Sequence, residues 1–173
     1  MFKAVLLVAI CSLPLLAQSP TYHVGRAATD ADIARRDISI APDGTGLPPG
    51  EGTAAEGAVV YENRCRECHG PEGEGADETG FIGKPSELLG DSPKKTVGSY
   101  WSHATTLWDY INRAMPFDRP GELSDDQVYS VVAYILHLNE LIDEDDELNA
   151  KTLMEIEMPN RDGFVADPRP DAP

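Results

Sequence analysis

The string Cys65-Arg66-Glu67-Cys68-His69 limits what this 173-residue chain can become more than any other feature. Two thiols with two residues between them, followed at once by an imidazole, form the CxxCH arrangement to which haem c is attached. The chemistry sets the spacing. The two thiols add across two vinyl groups on one porphyrin edge, and the adjacent imidazole swings under the ring to ligate the iron. Rival uses of the string fit less well. A structural zinc site wants four ligands, and there is no second cysteine pair. A thioredoxin-like dithiol wants a βαβ setting that the hydrophobic pattern does not supply. A plain disulfide between Cys65 and Cys68 would have no need of His69. One motif implies one covalently attached haem.

His69 occupies one face of the iron, and the identity of the opposite ligand sets potential and reactivity. Met115-Pro116 is the leading candidate. Proline disfavours a helical conformation for the residue before it, so Met115 belongs at the start of a loop. Met158-Pro159 repeats the dipeptide in the tail and is a rival. His103 and His137 are further alternatives, otherwise read as a loop histidine and a polar residue on a helix flank. His23 reads as solvated.

Three helices are expected around these residues. Thr53 and Glu56 form a capping-box signature, and a helix over 54–66 runs into the haem motif. Gly57, Val60 and Tyr61 share one of its faces, and Gly57 would let another backbone come close. A second helix over 105–114 carries Leu107, Trp108, Ile111 and Ala114 at helical spacing and delivers Met115 at its end. A third starts at Ser124, where Gln127 closes a capping box and Leu123 and Val128 form a hydrophobic staple. Its apolar stripe is Val128, Val131, Val132, Ile135 and Leu138, and it stops near Asn139. No segment alternates long enough to predict a sheet. The stretch 70–100 is glycine-rich and aperiodic, which a compact domain tolerates when the loop wraps something. Pro85 could offer its carbonyl to the Nδ1 hydrogen of His69, or be an ordinary turn proline. Tyr100, Trp101, Trp108 and Tyr110 either border the haem or fill the core. Arg113 meets a propionate or is solvated.

The ends read differently. Lys3 followed by the apolar run Ala4 to Leu16, with Ala17 as a small residue before a cut, reads as a secretory signal peptide. Cys11 lies within it and is a discarded hydrophobe. The run is too short to span a bilayer, and no later stretch is apolar enough, so no membrane span is expected in the mature protein. Export fits covalent haem, which is attached outside the cytoplasm. The expected organisation is a signal peptide over 1–17, an N-terminal arm over 18–52 with a short helix near Asp30 to Arg36, a domain over 53–140, and an acidic segment and arm over 141–173. The formal net charge of −16 argues against a nucleic-acid partner. The run Asp143-Glu144-Asp145-Asp146-Glu147 is either a solvated segment or a surface that steers a basic redox partner.

Residues 54–140 resemble a class I cytochrome c. The resemblance rests on Gly57-x-x-Val60-Tyr61 before CxxCH, on Met115-Pro116 and on the stripe of the last helix, whose Tyr134 is similar to the aromatic that packs on the first-helix glycine in that family. It implies an all-α fold, here with extended and mostly irregular N- and C-terminal arms. It also implies His69 and Met115 as axial ligands and one-electron transfer. Three strings carry a narrower resemblance: Pro42-Asp43-Gly44-Thr45-Gly46-Leu47-Pro48-Pro49-Gly50, then Thr96-Val97-Gly98-Ser99-Tyr100-Trp101 with Ala104 through Pro116, and Met158-Pro159-Asn160-Arg161-Asp162-Gly163-Phe164. These resemble the cytochrome c subunits of periplasmic sulfite and sulfane dehydrogenases. That likeness implies a molybdenum-cofactor partner subunit as electron donor and a soluble cytochrome c as acceptor, with the arms, which are not expected to bury themselves in so small a core, draped over the partner. A free periplasmic carrier cytochrome is the alternative. A peroxidase would want an open sixth position and usually a second haem. A thiosulfate-linking haem enzyme would want a cysteine ligand, and none is spare.

Overall fold

The computed structural model describes residue 22 and residues 24–75 and 80–169. The signal peptide with Cys11, and His23, lie outside them. The described chain is mainly helical, with elements in the order α1 (Asp30–Ala34), β1 (Glu51–Thr53), α2 (Ala54–Arg64), α3 (Arg66–His69), a 3-10 turn (Pro85–Leu88), α4 (Ala104–Ala114), α5 (Asp125–Leu138), β2 (Glu147–Asn149) and α6 (Thr152–Glu155).

The long helices begin where their sequence signatures place them. At the start of α2 the Thr53 hydroxyl accepts from the Glu56 amide, and the Glu56 carboxylate takes the Thr53 amide in return. Ser124 and Gln127 make the same reciprocal pair at α5. Each pair satisfies donors that a helix start otherwise leaves open. Helix α4 stops at Met115, which is extended at φ −123° and ψ 147°, as the following proline requires. Helix α5 is the hub. Val128 through Ala133 are all buried, and so are Ile135 and Leu136. Leu138, expected in the stripe, is only half-buried, and Leu136 takes the inner position.

Helices α2 and α5 cross in close contact because Gly57 has no side chain. A Cβ there would lie 1.9 Å from the Ser130 carbonyl oxygen and 2.8 Å from Tyr134 Cβ. The expected aromatic at 134 therefore does pack on the first-helix glycine.

Two expectations are corrected. A sheet was not foreseen, yet β1 and β2 pair antiparallel with Glu51 opposite Asn149, Gly52 opposite Leu148 and Thr53 opposite Glu147. Strands of three residues are too short to leave an alternation in the sequence. The arms are mostly irregular, as expected, but their inner parts do bury themselves. Ile40, Leu148, Leu153 and Met158 all join the core. The Ile40 amide donates to Asp109 Oδ1 at 2.8 Å, Thr105 Oγ1 donates to the Pro42 carbonyl at 3.0 Å, and the Tyr129 hydroxyl donates to the Pro48 carbonyl at 2.9 Å. The two arms also meet each other: a Cβ on Gly44 would collide with Met154 Sδ at 2.2 Å. Among the described residues no helix is long and apolar enough to cross a membrane.

Candidate haem site

The haem motif straddles a break between two helices. Cys65 closes α2 and opens α3, at φ −123° and ψ −38°. The His69 amide bonds back to the Cys65 carbonyl at 3.0 Å, and that of Cys68 to the same carbonyl at 3.2 Å. Positions three and four apart on one helical turn are neighbours, so Cys68 and His69 each fall next to Cys65. The Tyr61 hydroxyl donates to the Gly70 carbonyl at 2.7 Å, tying the end of the motif back to α2. Burial, and next the charge of Cys65, hold the Tyr61 phenol well above the ordinary tyrosine range, so it remains a donor.

Burial pushes the Cys65 thiol up to about 11, with the neighbouring Cys68 as a second cause. A dithiol built for exchange has a depressed thiol pKa, so the electrostatics run against a redox-active disulfide. Among the described residues no group of three or more His, Cys, Asp or Glu side chains is placed to hold a metal ion.

His69 packs beside an aromatic column that the sequence did not reveal. Its ring centroid is 5.3 Å from that of Phe81. Phe81 meets Tyr61 edge-on at 5.9 Å, and Tyr61 meets Tyr134 at 5.1 Å. The one hint of Phe81 is that it is the sole aromatic between the haem motif and Tyr100.

Met115 comes from α4, half-buried against the core. The segment after it is tied to the haem motif by Arg64, whose Nη2 lies 3.0 Å from Glu122 Oε1; Arg119 holds the other oxygen at 3.2 Å. One carboxylate thus links the residue before Cys65 to the loop that follows Met115. Met158, the rival, is 3% exposed. His103 Nδ1 engages Ser102 Oγ at 2.9 Å, and His137 Nδ1 lies 3.3 Å from the Ile142 carbonyl. Pro85 is exposed at the first position of the 3-10 turn. Trp108 packs on Tyr129 in the core, Trp101 meets Tyr110 edge-on, and Tyr100 meets Phe164. Arg113 is bound to Asp109 through two nitrogens and is not simply solvated.

These residues fit a haem. Two thiols and an imidazole within one turn would meet its covalent and axial requirements, and Met115 would supply a soft thioether. The Trp108 indole N–H is buried without a hydrogen-bond partner. It belongs to α4, the helix that ends at Met115, and a haem carboxylate would accept from it.

A mainly helical body with one such turn and a methionine-bearing loop defines a class I c-type cytochrome. The comparisons with known proteins agree. The family model for the cytochrome C oxidase, cbb3-type, subunit III matches residues 52–135. A chain in the crystal structure of the sulfane dehydrogenase SoxCD from Paracoccus pantotrophus is 36% identical, with a TM-score of 0.78; the alignment covers 86% of this chain and 74% of that one. The chain belongs to the cytochrome c family, and it is similar to a sulfur-oxidation member. Two curated relatives are named thiosulfate dehydrogenase. The one from Psychrobacter arcticus is 28% identical over 58% of this chain, and the one from Stutzerimonas stutzeri 31% identical over 51%. This chain spans only 32% and 28% of their lengths. Membership implies haem c and an electron-transfer role.

Proposed function

We propose that this chain is the mono-haem electron-transfer subunit of a periplasmic sulfite or sulfane dehydrogenase. A molybdenum-cofactor subunit oxidises the sulfur compound and hands over electrons one at a time. The haem supplies a one-electron iron couple. In this reading Cys65 and Cys68 hold the single haem c through thioethers, and His69 and Met115 ligate its iron. Turnover of substrate belongs to the partner.

The observation that carries the proposal is the extent of the likeness to the SoxCD chain. It covers 86% of this chain, more than the helical body alone could supply, so the arms share in it. A free carrier would have little use for conserving its arms against such a neighbour. The acidity of the chain and the exposed run 143–147 suit a soluble, basic cytochrome c as acceptor, because opposite charge raises encounter rates. The leader-like first 17 residues and the site of haem attachment support periplasmic location, with cleavage near Ala17. The likeness to thiosulfate dehydrogenases suggests a different chemistry, but a cysteine iron ligand has no residue here: beyond Cys65 and Cys68 the chain has only Cys11.

The test is purification under mild conditions from the native periplasm, assay for co-eluting molybdenum, and addition of sulfite or a sulfane compound while watching the haem spectrum. Molybdenum with rapid haem reduction supports the subunit, and the reducing compound identifies the substrate. A lone protein left oxidised would favour the free carrier.

A further inference from the structure

We propose that Phe81 is the positioning residue of the axial imidazole, the fixed surface against which the plane of the His69 ring is set. The proposal rests on the assignment of His69 as an iron ligand and goes beyond it. The thioethers would fix where the porphyrin sits. They leave open the rotation of the imidazole about its own bond to Cβ, a broad two-fold torsion. Something else must choose the ring plane, and a partner outside the ligand set is the usual means.

Phe81 is built to do this. Its ring lies 5.3 Å from the His69 ring, at 50° between planes. Its backbone is held from both sides: the amide donates to the Gly73 carbonyl at 2.9 Å, and the carbonyl accepts from the Val97 amide at 3.1 Å. Gly73 sits at φ +77°, and a Cβ there would come within 2.2 Å of Phe81 Cε2. The loop therefore combines a left-handed turn with the absence of a side chain at the one point where the ring needs room. Behind Phe81 stands Tyr61, 1% exposed, edge-on at 5.9 Å and anchored through its hydroxyl to Gly70, the residue after His69. The ring cannot retreat from the imidazole without moving α2. This gives a glycine-rich loop a task that its sequence does not advertise.

The experiment uses the intact haem-loaded protein. Phe81→Met keeps apolar volume and removes the flat surface; Phe81→Leu is the second variant, and Phe81→Tyr restores the ring. Haem content is read by the pyridine haemochrome spectrum, ligand orientation by the ferric electron paramagnetic resonance g values, and the potential by equilibrium titration. A low-spin, two-ligand wild-type signal tests the His69 assignment by itself. Without it the ligand assignment fails, whatever Phe81 does. With it, Phe81→Met and Phe81→Leu should each retain one haem per chain yet shift or split the low-field g feature and displace the potential, while Phe81→Tyr stays at wild type. Wild-type g values and potential in both Phe81→Met and Phe81→Leu would overturn the proposal and leave Phe81 as packing alone.

Discussion

Gly57→Ala tests the contact on which the helical body depends. In isolation the change should help, since alanine is about 1 kcal/mol better than glycine inside a helix. At this position the new Cβ would lie 1.9 Å from the Ser130 carbonyl oxygen and 2.5 Å from its carbon. Both are backbone atoms in the middle of α5 and cannot rotate away. To reach ordinary contact, α2 and α5 must part by roughly 1.5 Å, and a gap near 1 Å already forfeits up to half of each dispersion contact it opens. Tyr134 Cβ at 2.8 Å moves in the same direction, so the Tyr61–Tyr134 pair loosens too. Overpacking of this kind costs about 1–3 kcal/mol, and with backbone on the far side the upper end applies. Net of the helix gain, the loss is about 2 kcal/mol. For a chain of this size that lowers the melting temperature by about 4–8 °C. Thermal unfolding of the haem-loaded protein, followed in the far ultraviolet at one haem per chain, reads it directly. A melting temperature equal to or above wild type would show that the two helices are not in the contact described, and the reasoning would fall with it.

Asp109→Ala removes the acceptor of the buried Ile40 amide and the partner of Arg113; a donor left unsatisfied costs about 1–3 kcal/mol, and the amide of Ile40 should exchange faster with solvent while the amides inside α5 do not. Tyr129, fully buried, is pushed up from 10.0 to about 12 by burial and then by the charge of Asp125. Its native phenol stays protonated where the unfolded one ionises, so its contribution is whole below pH 10 and is lost as pH rises toward 12, by on the order of 2 kcal/mol. Denaturant midpoints should therefore fall more steeply across that window in wild type than in Tyr129→Phe. Met115→Ala should end methionine ligation and lower the potential, since thioether ligation raises it; an unchanged oxidised spectrum would move the ligand to Met158 or a histidine.

Local chemistry was readable and long-range chemistry was not. Thr53 with Glu56 and Ser124 with Gln127 announce helix starts because a cap is a contact between residues three apart. Pro116 announces the end of α4 because its effect falls on the adjacent residue. Gly57 was readable as a close approach, though nothing local said that Ser130 would be the neighbour. Asp109 looks like a surface acid on a helix, and only the fold brings Ile40, distant in sequence, to it. Phe81 reaches His69 through a loop whose course depends on several left-handed glycines, and no periodicity encodes that course. Met158 looked like tail because the element before it, α6, is a single turn too short to show a pattern.

The inner arms cannot be ordered independently of the body, and this bears on what remains for a partner. A two-stranded ladder three residues long is not stable in water by itself. β1 and β2 persist because they lie on α5, with Gly52 so close to Ser130 that a Cβ would come within 2.2 Å of its Oγ, and Leu148 only 1% exposed. Ile40 is held by α4, its amide bonded to Asp109, and Met158 is buried in the same core. Those residues are already used by this chain's own fold. The outer segments are used less: residues 161–169 are exposed throughout although Phe164 meets Tyr100 edge-on, and Val24, Ile33, Phe164 and Val165 each leave at least half of their surface in solvent. If the arms dock on a donor subunit, these outer parts must do it. Removing residues 161–169 should then leave the melting temperature of the isolated cytochrome within about 2 °C of wild type, since surface changes are worth about ±0.5 kcal/mol, while weakening co-elution with the molybdenum subunit. A truncated chain that melts much lower would show instead that the tail is part of the fold.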